Sequence, residues 1–336
     1  MQTILVTGGL GFIGSHTVVE LQNKGYKVVI IDDLSNSTMA VLDGIEAISK
    51  IRPAFFEIDL KNKASIAKVF KSHKIEGVIH FAASKAVGES VEQPLKYYEN
   101  NIATLVFLLQ TMQQFKVNAF IFSSSCTVYG QADELPITEN APIKQAESPY
   151  GNTKKIGEDI IQDTTKATDL KAIALRYFNP IGAHSSTLIG ELPIGVPQNL
   201  IPFVTQTGAG LRDELKVFGD DYSTSDGTAV RDYIHVVDLA KAHVCAVERL
   251  LDNKQDDNFE TFNIGTGTGS SVLEVIQAFE KVSNTKLNYK IVGRREGDIT
   301  SAYADTTKAN KVLGWQANLS LEEALASAWQ WQLKQK

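Results

Sequence analysis

The feature that most constrains this chain is a glycine loop set between two short periodic segments. Ile4-Leu5-Val6 is followed by Thr7-Gly8-Gly9-Leu10-Gly11-Phe12-Ile13-Gly14, and then by a helical pattern carrying Val18, Val19 and Leu21. An apolar run of strand length, then clustered glycines, then a helix is how a βαβ unit begins. Glycine lets such a loop turn tightly, lets backbone approach a pyrophosphate and lets helix pack on strand, while the helix N–H groups meet the phosphate charge. The spacing G-x-x-G-x-x-G differs from the simple G-x-G-x-x-G pattern. Alone, the loop fits a structural turn as well as a nucleotide site.

The strand-then-helix theme recurs along the chain. Further strand-like runs fall at Lys27-Val28-Val29-Ile30-Ile31, 54–57, 77–81, 119–122 and 171–176. Helical patterns fill the gaps, among them Pro94 to Gln114 and Tyr150 to Lys166. Alternation of this kind predicts an α/β fold, a doubly wound parallel-sheet Rossmann domain over residues 1–180. After Asn179-Pro180 the glycines and prolines become denser, through Pro193, Gly195, Pro197 and Pro202. That change predicts a smaller mixed α/β C-terminal substrate domain over 181–336, with segments around 233–264 returning to the first lobe.

Asp32 closes the second predicted strand, roughly 20 residues beyond the loop, where a carboxylate accepts the hydroxyls of an adenosine ribose. This favours NAD over NADP. The competing reading is that Asp32 and Asp33 cap the turn through Leu34-Ser35-Asn36. Asp59-Leu60 and Phe81-Ala82-Ala83 fall at other strand ends, on the edge where open α/β sheets bind ligands.

Tyr150-Gly151-Asn152-Thr153-Lys154 opens the later helix behind Ser148-Pro149, a cap and first-turn pair. Positions four apart share a helix face, so phenol and ammonium converge. A phenol with an ordinary pKa of ~10 needs nearby positive charge, from Lys154 and an oxidised nicotinamide, to act as a base at neutral pH. Ser123-Ser124-Ser125 ends the fifth predicted strand and places a hydroxyl on the same edge. Each motif alone is common; the set in this order behind a nucleotide loop points to NAD-linked chemistry on a hydroxyl.

Composition bounds the partners. Net charge is −6, from 39 acidic and 33 basic residues, and no basic cluster suits a nucleic acid. Cys126 and Cys245 lie far apart without metal-ligand spacing, so neither zinc nor a disulfide framework is expected. The apolar run behind Met1-Gln2-Thr3 is too short for a signal peptide, and no run approaches the roughly 18 residues of a membrane span. These features predict a cytoplasmic enzyme without metal or membrane.

The chain resembles the extended short-chain dehydrogenase/reductase family, and within it the UDP-hexose 4-epimerases, over nearly its whole length. The resemblance rests on Val6 to His16, Lys85-Ala86-Val87-Gly88-Glu89-Ser90, Ser123 to Gly130, Ser148-Pro149-Tyr150-Gly151, Arg176-Tyr177-Phe178-Asn179-Pro180, Asp226-Gly227-Thr228, Val230 to His235, and Arg294-Arg295-Glu296-Gly297-Asp298. It implies a tightly held NAD that takes hydride from C4 of a UDP-hexose and returns it to the other face through a 4-keto intermediate. Catalysis then falls to Ser125, Tyr150 and Lys154, with Lys154 lowering the tyrosine pKa. Cofactor contacts are implied for Gly8, Gly11, Phe12, Ile13, Gly14, Asp32, Asp33, Leu34, Ser35, Asn36, Ser37, Asp59, Leu60, Phe81, Ala82, Ala83, Lys85, Asn100 and Phe178, besides the catalytic set. Substrate contacts are implied for Lys85, Ser125, Tyr150, Tyr177, Asn179, Asn199, Leu200, Phe218, Arg231, Tyr233, Arg295, Asp298 and Ala302. A homodimer through the 94–114 and 150–166 helices is also implied.

The chain departs from the family pattern in two places. Ala83-Ser84 replaces Gly-Leu before the Lys85 block, and Ala302 stands where some members carry tyrosine beside the hexose. The small residue resembles members that also accept UDP-GlcNAc and UDP-GalNAc. The alternatives are a nucleotide-sugar dehydratase, for which Cys126-Thr127 replaces the needed Asp-Glu, and a non-catalytic NAD-sensing protein, against which Ser125, Tyr150 and Lys154 stand intact.

Overall fold

The computed structural model describes residues 1–295 and 298–335. Its centre is a seven-stranded sheet. β1 (Thr3–Thr7), β2 (Lys27–Asp32), β3 (Ala54–Glu57), β4 (Gly77–His80), β5 (Ala119–Ser125) and β6 (Lys171–Tyr177) are joined at one edge by the strand Phe259–Ile264. Across the sheet the order is Phe259–Ile264, β6, β5, β4, β1, β2, β3, every neighbour parallel.

The strand sequences explain the arrangement. All five residues of β1 are buried, because parallel strands carry helices on both faces and so read as unbroken apolar runs. Alternate side chains serve opposite faces. Ile4, Val6, Val28, Ile30, Ile79, Ile121 and Ile173 meet helices Phe12–Asn23 and Val236–Leu251. Leu5, Val29, Ile31, Val78, Phe120 and Ala172 meet helices Lys63–Ser72, Thr104–Gln114 and Pro149–Ala167. The sheet's chain order reverses between β1 and β4. That switch point opens a crevice at the carboxyl edge.

A separate core, including Ile181, Val204, Val217, Tyr233, Ile276, Phe279, Leu325 and Trp329, gathers the later segments. A smaller cluster ties Val128, Tyr129 and Ile137 to Phe178, Ala302 and Ala304. One expected helix is altered. Pro94 to Gln114 is helical at Pro94–Tyr98 and Thr104–Gln114, but Glu99–Ala103 between them is a π-turn. Such a turn inserts one residue into the helical repeat and often marks a functional site. Asn100 and Asn101 both lie on it.

Candidate active site

The glycine loop crosses the β1 side of the crevice. Gly8 has φ 68°, and a Cβ there would lie 2.7 Å from the Ala82 nitrogen. At Gly14 a Cβ would lie 2.1 Å from the Gly8 carbonyl oxygen. No side chain fits at either place, so the loop backbone closes directly against the start of the first helix. Beyond β2, Asp32 is buried and its carboxylate is mostly engaged: Oδ1 accepts from Leu34 N (3.0 Å) and Ser37 Oγ (2.9 Å), Oδ2 from Leu10 N (3.0 Å). Asp33 Oδ1 accepts from Ser35 N at 3.0 Å. Both acids therefore cap the turn, and Asp32 also ties it to the glycine loop through Leu10. Asp59 is exposed and caps its own turn through Lys61 N (2.8 Å), while Leu60 is buried.

Beside Phe81, Ala82 and Ala83, Ser84 is tied to the π-turn. Asn100 Nδ2 donates to the Ser84 hydroxyl at 3.1 Å, and Asn101 bonds the Ser84 N–H (2.8 Å) and carbonyl (3.0 Å). The departure at Ala83-Ser84 thus gives Asn100 a partner that leucine lacks. Asn101 also donates to Thr153 of the Pro149–Ala167 helix at 3.0 Å.

β5 and that helix bring the expected catalytic set together. Ser148 caps the helix, its hydroxyl accepting from Gly151 N at 3.2 Å, and Pro149 takes the first turn. Ser125 ends β5, where its hydroxyl accepts from Thr127 N at 3.2 Å. Lys154 is buried and donates to the Ser123 carbonyl at 2.7 Å; its Nζ lies 5.1 Å from the centre of the Phe122 ring and 5.8 Å from that of Tyr150. Burial lowers its pKa to about 8, against the opposing charge of Glu158. Tyr150 is half-buried, and burial pushes its phenol up to about 12 while the Ser125 hydroxyl pulls it back. Lys154 thus points at the Ser123 carbonyl.

The expected substrate residues do not form one group. Ala302 shares a buried cluster with Tyr129 and with Phe178, a residue expected at the cofactor. Asn179 and Tyr233 are paired in register across two short parallel strands. Tyr177 is bonded through its hydroxyl to that of Ser123 on β5. The outer residues partner one another. Arg295 donates to both carboxylate oxygens of Asp298, at 2.7 and 3.2 Å, and its guanidinium lies over Phe218 at 5.6 Å. Arg231 donates to the Val230 carbonyl at 2.8 Å. Glu296 and Gly297 of the same block lie outside the described residues. Lys85 and Asn199 converge on one carboxylate, Glu191, at 3.4 and 2.7 Å, with Leu200 opening the helix behind Asn199. Sequence reading missed Glu191; no local spacing links it to Lys85. It also missed Asn101 and the Arg294–Asp221 pair at 2.6 Å.

Cys126 and Cys245 are free thiols, and burial raises Cys126 to about 11. Among the described residues no cluster of His, Cys, Asp or Glu is arranged to hold a metal, and no helix is long and apolar enough to cross a membrane.

A family model described as GDP-mannose 4,6 dehydratase matches residues 5–328. The UDP-glucose 4-epimerase of Bacillus subtilis (strain 168) is 50% identical over 330 residues, 98% of this chain and 96% of that one. A solved UDP-glucose-4-epimerase from Stenotrophomonas maltophila, with bound NAD and formylated UDP-arabinopyranose, superposes at a TM-score of 0.97 with 46% identity, covering 100% of this chain and 99% of its own. One from Bifidobacterium longum in complex with NAD+ and UDP gives 0.95 with 47% identity, covering 99% and 98%. With whole-length identity at this level, on a sheet whose switch point faces a Ser…Tyr-x-x-x-Lys set, the chain belongs to the UDP-glucose 4-epimerase family.

Proposed function

We propose that the chain interconverts UDP-galactose and UDP-glucose using NAD held along the carboxyl edge of the sheet. The observation that carries this reading is the gathering of Ser125, Tyr150 and Lys154 where the end of β5 meets the Pro149–Ala167 helix.

The residues fit a dinucleotide. The backbone closure at Gly8 and Gly14 leaves unobstructed N–H groups at a helix start, which suits a pyrophosphate; Gly11, Phe12 and Ile13 complete that cradle. Asp32, with Asp33, Leu34, Ser35, Asn36 and Ser37, would hold the adenosine ribose, and Asp59 and Leu60 would flank the adenine. Phe81, Ala82, Ala83, Lys85, Asn100, Tyr150, Lys154 and Phe178 would line the nicotinamide half. When bound, NAD supplies a reversible hydride acceptor.

The chain's own groups manage the proton. Tyr150 takes the 4-hydroxyl proton as the C4–H bond gives up hydride and C4=O forms, and Ser125 donates to that same oxygen. For a phenol near 12 the transfer needs positive charge close by, and the Lys154 ammonium is the chain's contribution. The 4-keto sugar turns over, C4 regains hydride on its other face, and Tyr150 returns the proton.

A sugar that must rotate is best held by its distant end. Arg231 and Arg295 suit the diphosphate, Asp298 the uridine ribose and Phe218 the uracil, with Lys85, Tyr177, Asn179, Asn199, Leu200 and Tyr233 around the remainder. A dehydratase is disfavoured because Cys126, raised to about 11, stays a neutral thiol where an acid/base pair is needed. UDP-GlcNAc and UDP-GalNAc are proposed as further substrates because Ala302 is a small residue where some members carry tyrosine beside the hexose. Selective loss of that pair in Ala302→Tyr supports the assignment; equal loss on both pairs removes it. A homodimer is proposed through the Pro149–Ala167 helix and its neighbours, where Val87, Val91 and Leu95 stand 50%, 62% and 81% exposed. Sedimentation at twice the 36.8 kDa chain mass is the expected result.

The direct test incubates purified protein with UDP-galactose, without added NAD, and follows UDP-glucose by chromatography. Conversion is expected. Its absence, with NAD shown to be bound, removes the proposal.

A further inference from the structure

Glu158 lies one turn beyond Lys154 and two beyond Tyr150, so the three side chains leave the Pro149–Ala167 helix on one face. The proton and hydride steps assign it nothing. It is nevertheless buried, and its hydrogen-bond partners come from two strands of the sheet. Oε1 accepts from the Ser124 hydroxyl of β5 and from Arg176 Nε of β6 at 2.9 Å; Oε2 accepts from Arg176 Nη2 at 2.6 Å. Arg176 Nη1 donates to the Tyr129 hydroxyl at 2.9 Å, which donates to Asn263 Oδ1 at 2.7 Å, and Asn263 Nδ2 donates to the Ile137 carbonyl at 2.8 Å. One connected network therefore ties the catalytic helix to three neighbouring strands of the sheet.

A buried ion pair is a weak source of stability, because desolvation offsets much of the attraction. Its position is more informative. Ser124 sits between the Ser123 carbonyl that receives Lys154 and the Ser125 hydroxyl. The groups around Lys154 are Tyr150 and Glu158 from its own helix, the Ser123 carbonyl and Phe122 ring from β5, and His80 from β4. Of these, Glu158 is the opposite charge acting on the ammonium.

We propose that Glu158 is a positioning residue: through Ser124 and Arg176 it fixes the catalytic helix on β5, with its carboxylate one turn from the Lys154 ammonium. The inference rests on the role proposed for Lys154.

The test uses the full chain with its bound cofactor, as Glu158→Gln and Arg176→Gln. Each is read for kcat against pH and for the pH at which the Lys154 Cε resonance titrates in 13C-lysine protein, with Lys154→Arg identifying the signal. Removing the carboxylate charge lowers the titration by about one unit, and removing Arg176, which leaves that charge unopposed, raises it by a similar amount. The alkaline limb of kcat follows both, while KM for the UDP-sugar stays within about twofold. A network serving stability alone lowers the unfolding temperature of both variants and leaves the titration unmoved, which overturns the proposal. If Glu158→Gln does not fold, the sign of the Arg176→Gln shift decides. If neither folds, Glu158→Asp decides: retained titration with kcat reduced several-fold supports the role, and unchanged kcat overturns it. A wild-type titration with no matching limb in kcat means instead that the Lys154 assignment has failed.

Discussion

The inner and outer halves of the candidate site are built on opposite plans. Around β5 and the Pro149–Ala167 helix, polar groups are buried and held by fixed partners: Lys154 by the Ser123 carbonyl, Glu158 by Arg176 and Ser124. In the outer set, Arg295 and Asp298 pair across three residues, and Lys85 leans on Glu191 with half its side chain exposed. Exposed pairs of this kind contribute little to stability, roughly 0–1 kcal/mol, and exchange partners at little cost. The inner half is preorganised for one reaction, whereas the outer half is free to regroup around a charged ligand.

The largest expected effect falls on the inner half. Tyr150→Phe removes the proton acceptor and should lower kcat about 10²–10⁴-fold, with an unchanged unfolding temperature; a loss below tenfold breaks the contrast. Next comes the outer half. Arg295→Ala should raise KM by about 10- to 100-fold, as expected for a charge-assisted hydrogen bond worth ~1.5–3 kcal/mol, and leave kcat nearly intact. Equal losses in kcat and kcat/KM would show that this arginine acts in the transition state.

Smaller effects come from charge. With Lys154 lowered to about 8, kcat should fall as pH rises through that value and the ammonium is lost. Acid acts on the fold instead. His16 and His80 are lowered to about 3, and His235 and His243 to about 4, by burial. Because their folded values lie below the unfolded ~6.5, their contribution is complete above that pH and is lost as pH falls toward 4, by up to ~1.4 kcal/mol per pH unit per histidine. Thermal unfolding at pH 6.5 and 4.5 checks the direction; a constant midpoint contradicts it.

Much of this was legible in the sequence, and the limits have physical causes. β1, β2, β4, β5 and β6 were readable because buried parallel strands are largely apolar runs, and the half-buried edge strand β3 because its Phe55 and Phe56 fall in the same alternation. Tyr150 and Lys154 were readable because helical spacing alone places them on one face. The π-turn at Glu99–Ala103 was not, since one inserted residue leaves the apolar pattern of Pro94 to Gln114 almost intact. Glu191 was not, because Lys85 lies 106 positions away. Glu158 was on the same face as Lys154, yet its partners Ser124 and Arg176 come from two other strands. Asp32 was read for a ribose, but its contacts with Leu10, Leu34 and Ser37 were set by the folded loop.

The central claim is that the hydrogen on C4 leaves as hydride to NAD held at this site and returns to the same carbon. UDP-galactose carrying deuterium at C4, converted in ordinary water, tests it most directly. The expected product is UDP-glucose with the deuterium still at C4, because the hydrogen never reaches solvent. Product in which C4 has exchanged with water would contradict it.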